Sequence, residues 1–278
     1  MLPIMKKPVI DKGADKIRQF VDQIILARRQ DSSQSQCQGS DILDLLLSAK
    51  DSNGQSFSNE QIREETLAFF LAGHETTSTL ITWCLYVVMT NPEIYRTCLE
   101  EVDHVLQDGT ELDYQKLDQL QVIEAVIYET LRLYSPAPFF IRQCIHEHII
   151  GGGASKQRPI SVPRRVIVHI NTYVLHRLET YWGMNAKQFD YTRWLRDPKT
   201  GIKPKLKHPF CYLPFSAGNH NCIGQHFALL ESKVILSLFF KYFAFKMVDG
   251  QIVFPDFSLT MKLAYGLRMT IKRRSLSD

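Results

Sequence analysis

The sequence predicts a mainly α protein with a small β portion, built as one compact unit over residues 1–278. Three observations carry this reading. Long stretches of the first half place apolar residues at helical spacing, the texture changes after Ser135-Pro136 to short β-like runs among turns, and no internal repeat or long linker divides the chain. Hydrophobic residues make up 45% and charged residues 22%, ordinary proportions for a globular chain with a sizeable core.

Taken in order, Ile10 to Arg29 reads as an amphipathic helix, with Ile17, Phe20, Val21, Ile24 and Ile25 on one stripe. The polar run from Gln30 to Ser40 reads as a mobile loop. A short helix over Asp41 to Ala49 ends at Asp51-Ser52-Asn53-Gly54, and Ser58 with Gln61 has the spacing of a capping box. The long apolar helix that follows, over about 59–89, stops at Asn91-Pro92. Further helices are expected over 93–106 and 115–134, and short strands over Ile160–Val162, Val166–Ile170 and Leu267–Ile271. A last long helix reads from Ile223 to about Tyr242, with Phe227, Leu230, Val234 and Leu238 on one face.

Several function classes are disfavoured. A formal charge of +4 without a Lys/Arg run argues against a nucleic-acid partner. Six scattered cysteines with no Cys-x-x-Cys pair fit free, mostly buried thiols in a reducing compartment, not a disulfide framework or a zinc site. No run reaches the roughly 18 apolar residues of a membrane span, and no apolar h-region of a signal peptide follows Lys6-Lys7.

Three segments carry chemistry. Phe215-Ser216-Ala217-Gly218-Asn219-His220-Asn221-Cys222-Ile223-Gly224 presents a cysteine at the start of a helix, where unpaired N–H groups and the dipole favour a thiolate. Cys222 is therefore a candidate metal ligand and His220 a candidate donor to a carboxylate on the ligand. A buried structural cysteine beside a glycine turn is the alternative. Within the long helix, Ala72-Gly73-His74-Glu75-Thr76-Thr77-Ser78-Thr79 is a polar interruption. A helix-interior glycine costs about 1 kcal/mol, and a carboxylate on an apolar face costs more unless paired. An opening lined by an acid and an alcohol suits O₂ binding and proton relay; a kinked core helix with hydroxyls satisfied by its own backbone is the alternative. Glu129 and Arg132 share a helix face in an apolar neighbourhood, which predicts a buried ion pair that needs further partners.

In order and spacing these segments resemble the cytochrome P450 family. The ten-residue loop is similar to the family's haem-binding loop, Phe-x-x-Gly-x-Arg-x-Cys-x-Gly. Phe215, Gly218, Cys222 and Gly224 stand at its fixed positions, and His220 stands where arginine is usual. The resemblance implies heme b as cofactor, with Cys222 as axial thiolate of its iron. The interrupted helix resembles the oxygen-activation motif, which makes Glu75 and Thr76 the acid–alcohol pair and sets Ala72 and Gly73 against the haem. Glu129 and Arg132 resemble the Glu-x-x-Arg pair. Their implied third partner is Arg193, in a segment where Tyr191 and Thr192 replace the usual Pro and Glu, and the triad is read as structural. His176-Arg177 fits the region before that third member. Pro136 to Arg142 resembles the strand beside the haem, so that Arg142, with His220, meets the propionates and Phe139 and Phe140 face the substrate pocket.

The resemblance spans about Phe20 to Arg273 and implies the C-terminal part of the family's fold. It implies a haem-thiolate monooxygenase acting on a hydrophobic small molecule, with electrons from NADPH through a reductase or ferredoxin-type partner. Lys203, Lys205 and Lys207 precede the loop and are expected to offer that partner positive charge; a solvated face with no partner is the alternative for so short a run. Membrane association, at the cytosolic face of the endoplasmic reticulum, is expected of the full-length protein only, with no anchor in this chain. The rival expectation is a truncated, catalytically incompetent fragment of the family.

Overall fold

The computed structural model describes residues 8–32, 41–107, 111–152 and 158–274. Most of the polar run ending at Ser40, with Cys37, lies outside them. The chain divides into two compact units, residues 1–74 and 75–278.

The first unit contains α1 (Pro8–Ser32), α2 (Ile42–Ser48) and the start of α3 (Asn59–Thr90). Asp41 caps α2, its carboxylate accepting from the Asp44 N–H at 2.9 Å. The Ser58–Gln61 capping box forms reciprocally: the Ser58 N–H donates to Gln61 Oε1 at 2.9 Å and the Gln61 N–H to Ser58 Oγ at 3.2 Å. Val21, Ile25, Leu43 and Ile62 bury a small core.

The second unit holds the rest of α3, then α4 (Pro92–Val105), α5 (Tyr114–Gln119), α6 (Gln121–Leu133), the short helices α7 (Thr172–Leu175) and α8 (Glu179–Trp182), and α9 (Gln225–Tyr242). Its main core is drawn from α3, α4, α6 and α9 and includes Leu80, Val88, Val102, Ile123, Ile127, Leu236 and Phe240. The strands form antiparallel pairs. β1 (Phe140–Gln143) pairs with β4 (Ile167–Ile170), and β2 (His148–Ile150) pairs with β3 (Ile160–Val162). β5 (Phe243–Met247) pairs with β8 (Met269–Arg273), and β6 (Pro255–Phe257) pairs with β7 (Met261–Leu263). Among the described residues no helix is long and apolar enough to cross a membrane.

Most boundaries shift by one to three residues from the sequence reading, and two of the differences bear on the second unit's helices. The helix expected over 115–134 breaks at the fully buried Leu120 into α5 and α6. No side chain at Leu120 caps α6; instead Glu101 reaches across from α4, its carboxylate accepting from the N–H groups of Val122 at 2.6 Å and Ile123 at 2.9 Å. Burial raises the pKa of Glu101, and these N–H donors oppose that rise. The last helix begins at Gln225, not Ile223, because Gly224 is its N-cap.

Glu101→Ala leaves two helix N–H groups without their acceptor and is expected to cost about 1–3 kcal/mol. Glu101→Gln keeps one acceptor oxygen and should cost less. Urea unfolding followed by circular dichroism orders the three proteins; equal midpoints for wild type and Glu101→Ala would remove the tertiary cap.

Candidate haem-thiolate site

The site rests on α6. Arg132 is fully buried, and its guanidinium uses every face. Nε donates to Glu129 Oε2 at 2.8 Å and one terminal nitrogen to Oε1 at 2.7 Å, a bidentate pair. The remaining donors go to the carbonyls of His176 at 2.7 Å, Gln188 at 2.9 Å and Ala186. Glu129 is equally enclosed and also accepts from the Asp190 N–H at 2.9 Å and the Trp194 indole at 2.8 Å. Arg193 completes the group by an ion contact, Nε lying 3.6 Å from Glu129 Oε1. Its terminal nitrogens are committed elsewhere, to the carbonyls of Trp182 at 3.0 Å and Asn185 at 3.2 Å. The structure therefore brings all three triad residues together, with Arg193 engaged more with backbone than with Glu129.

From this knot one histidine leads to the cysteine loop. His176 is fully buried. Its Nε2 accepts from the Leu213 N–H at 2.8 Å, so its Nδ1 carries the proton and donates to the Arg132 carbonyl at 3.1 Å. Burial drives its pKa from the ordinary 6.5 to about 3, so the ring stays neutral. The sequence placed His176 in the right region but gave no sign of this role, since a neutral buried histidine has no local signature.

Beyond Leu213 the chain forms the loop itself. Phe215 packs against the main core, and its carbonyl accepts from the Cys222 N–H at 2.9 Å, closing the loop at its base. Ser216 adopts a left-handed φ of 64°, uncommon for a residue with a Cβ. Arg142, from β1, donates to Ser216 Oγ at 2.8 Å, and the same nitrogen reaches the His220 carbonyl at 3.3 Å. Gly218 has φ 82°, and a Cβ built there would meet nothing within 4 Å. Cys222 stands two residues before the N-cap of α9, and its thiol is exposed, whereas Cys84, Cys98, Cys144 and Cys211 are all buried. Burial pushes the Cys84 thiol up to about 12, the behaviour of an inert structural cysteine. The apolar side chains nearest Cys222 in sequence, Ile223 and Phe227, are 84% and 68% exposed.

The remaining predicted residues fall as follows. Ala72, Gly73 and Glu75 are exposed on α3 and Thr76 is half-buried; a Cβ on Gly73 would meet nothing within 4 Å. The Glu75 carboxylate is held by a residue the sequence gave no reason to select: Thr260 Oγ donates to Glu75 Oε1 at 2.7 Å. Phe139 and Phe140 do not share a face. The Phe140 ring lies under the Arg142 guanidinium at 4.9 Å, while Phe139 approaches His169, the cross-strand partner of Ile141. Lys203 is not a free positive charge, because it pairs with Glu124, whose other oxygen takes Lys233 at 2.9 Å. Lys207 donates to the Thr180 carbonyl at 2.6 Å, and Lys205 is exposed.

An exposed soft sulfur donor, an open glycine turn, adjoining apolar side chains and a cation bonded to the loop form a donor set that suits an iron porphyrin. Comparison with known proteins agrees. Residues 4–268 match the cytochrome P450 family. Rat cytochrome P450 4A2 is 36% identical over 233 residues, covering 84% of this chain and 44% of that protein. The pig taurochenodeoxycholic 6 alpha-hydroxylase is 30% identical over 94% of this chain and 51% of its own length. A bifunctional cytochrome P450/NADPH–P450 reductase of Bacillus subtilis is 33% identical over 99% of this chain and 25% of its length. The crystal structure of the cytochrome P450DA heme domain superposes with a TM-score of 0.78 at 30% identity, over 93% of this chain and 54% of that one. The chain belongs to the cytochrome P450 family, whose cofactor is haem b, and it spans about half the length of most of these relatives.

The neutral His176 makes the network acid-sensitive. Its folded pKa, about 3, lies below the unfolded 6.5, so its contribution is complete above about pH 6.5 and is lost as pH falls toward 3. Over that window stability should fall by up to roughly 1.4 kcal/mol per pH unit from this group alone. In His176→Gln the slope of unfolding free energy against pH should flatten by one proton; an unchanged slope would show that His176 does not titrate on unfolding.

Proposed function

We propose that the protein acts as a haem-thiolate monooxygenase, inserting one oxygen atom of O₂ into a hydrophobic organic substrate with electrons from NADPH through a reductase. The observation that carries the reading is the exposed Cys222 thiol at the open end of the Phe215–Gly224 loop, the sole exposed cysteine among the described residues. When bound, the cofactor supplies activation of dioxygen, assisted by thiolate donation. The chain's own residues have narrower tasks. Cys222 holds the iron. Arg142 and His220 anchor propionates, and Arg142 brings a second function because it also bonds the loop. Phe215 and the two glycines, Gly218 and Gly224, keep the loop open around the sulfur.

Ala72 and Gly73 are assigned to the cofactor side of α3 by the motif they belong to, and Glu75 with Thr76 to proton delivery. A carboxylate and a hydroxyl at neighbouring positions suit that task, since one exchanges protons with solvent and the other hands a proton on. Glu129, Arg132 and Arg193 position the loop and take no chemical part. The names of two relatives support the wider reading: one is a taurochenodeoxycholic 6 alpha-hydroxylase, and the other is a bifunctional cytochrome P450/NADPH–P450 reductase. The electron donor, the hydrophobic substrate and association of the full-length protein with the endoplasmic reticulum membrane are parts of this proposal.

Two substitutions in the full-length protein separate the roles. Cys222→Ser should abolish the thiolate carbon monoxide difference spectrum, because an alcohol is a far poorer donor to iron at neutral pH. A spectrum that survives would overturn the ligand assignment. Thr76→Ala should keep that spectrum and continue to consume NADPH, while product per NADPH falls by roughly tenfold or more. Full coupling in Thr76→Ala would leave the polar interruption of α3 as a structural kink.

A further inference from the structure

The Glu75 carboxylate is not held by its own helix. Its bond comes from Thr260, 185 residues away at the tip of the β6–β7 hairpin, and Thr260 is only 5% exposed. A carboxylate accepts and a hydroxyl donates, so the direction is from Thr260 Oγ to Glu75 Oε1, at 2.7 Å. Among the described residues no hydrogen bond reaches Glu75 Oε2.

Thr260 is itself rigidly mounted. Its carbonyl accepts from both the N–H and the hydroxyl of Ser258, each at 3.3 Å. The next residue, Met261, is clamped on both sides. Its N–H donates to the Pro136 carbonyl at 2.9 Å, and its carbonyl accepts from the Trp83 indole at 2.8 Å. Trp83 belongs to α3 and stacks on Tyr134 at 4.3 Å. The hairpin is thus joined to α3 at two places, by Trp83 to Met261 and by Glu75 to Thr260. The first join already secures the packing, with a buried ring and a backbone acceptor. The second adds little burial, because Glu75 is exposed; what it does is fix one oxygen of a flexible side chain that would otherwise sample many rotamers.

We infer that Thr260 is a positioning residue for the reaction. It holds Glu75 Oε1 so that Oε2 is the oxygen that carries protons. This rests on the proton-delivery role given to Glu75 above and adds to it a second element, the hairpin tip, where Leu259 is 83% exposed beside Thr260. The acid's placement therefore depends on the hairpin as well as on α3.

The test uses full-length, haem-loaded protein with an NADPH-dependent reductase and reads hydrogen peroxide released per NADPH consumed, with crystal structures of the same variants as a second readout. Thr260→Val should raise the peroxide share about fivefold, the factor a single hydrogen bond typically supplies. Thr260→Ser should restore the wild-type value. The double variant Thr260→Val/Glu75→Gln should release no more peroxide than Glu75→Gln alone, since Thr260 acts only through Glu75. In crystals, the Glu75 carboxylate should leave its wild-type position in Thr260→Val and keep it in Thr260→Ser. If Thr260→Val fails to fold, Thr260→Ala replaces it in every arm. A wild-type peroxide share in Thr260→Val, with Glu75→Gln raised, overturns the positioning role alone. Additive effects in the double variant do the same. A wild-type share in Glu75→Gln removes the proton-delivery role itself and takes the inference with it.

Discussion

The Arg132 guanidinium is the constraint on which the second unit's functional architecture depends. A fully buried cation is tolerable only when each of its donors finds an acceptor, and here the acceptors come from four places in the chain. Glu129, on the same helix, neutralises the charge. The carbonyls of His176, Ala186 and Gln188 belong to irregular backbone that has few ladder bonds of its own. Because those carbonyls must point at one planar group, the segment between α7 and the short turn at Tyr191–Trp194 has little freedom to rearrange. The pair is thus better understood as a template for non-repetitive backbone than as a source of net stability, since desolvation offsets much of its Coulomb gain.

The consequence reaches the cysteine loop by way of His176. One ring nitrogen reports the position of the Arg132 carbonyl and the other fixes the Leu213 N–H, just ahead of Phe215. From the opposite side Arg142 bonds the hydroxyl of Ser216, whose backbone is in the left-handed region. The loop is therefore held at its near end by a neutral imidazole and at its turn by a cation, while Cys222 itself is left exposed. A metal ligand needs that combination of a rigid approach and an unobstructed donor.

How far this was legible in the sequence follows from the range of each interaction. Helices α3, α4 and α9 and strands β3, β4 and β8 announced themselves because periodicity and Pro or Gly punctuation are local signals. The break at Leu120 did not, because Glu101, which caps α6, lies on another helix. β1 was expected only through the resemblance of Pro136 to Arg142, and β2, β5, β6 and β7 were not read; length is not the reason, since β5 has five residues and β3 three. At the site, Cys222, Glu129 and Arg132 could be selected by type and spacing. His176 could be located but not understood, and Thr260 could not be found at all. A threonine in a hairpin gives no hint of a carboxylate that is its neighbour only after folding.

The same range argument applies to the two phenylalanines and the lysines. Phe139 and Phe140 are adjacent in sequence, and adjacent residues in extended chain point to opposite faces: Phe140 lies under the Arg142 guanidinium and Phe139 approaches His169. Lys203 looked like available charge because its partner, Glu124, is far away in the chain. Glu124 is held below the usual carboxylate range: burial acts against this, but the Lys203 and Lys233 ammonium groups outweigh it, so the acid stays charged and keeps both lysines. Of the three lysines only Lys203 is paired with an acid; Lys207 bonds a neutral carbonyl and Lys205 is exposed. Arg142 and Glu75, the charges to which a function is proposed above, are each bonded by a neutral hydroxyl, Ser216 and Thr260, and not by an opposite charge.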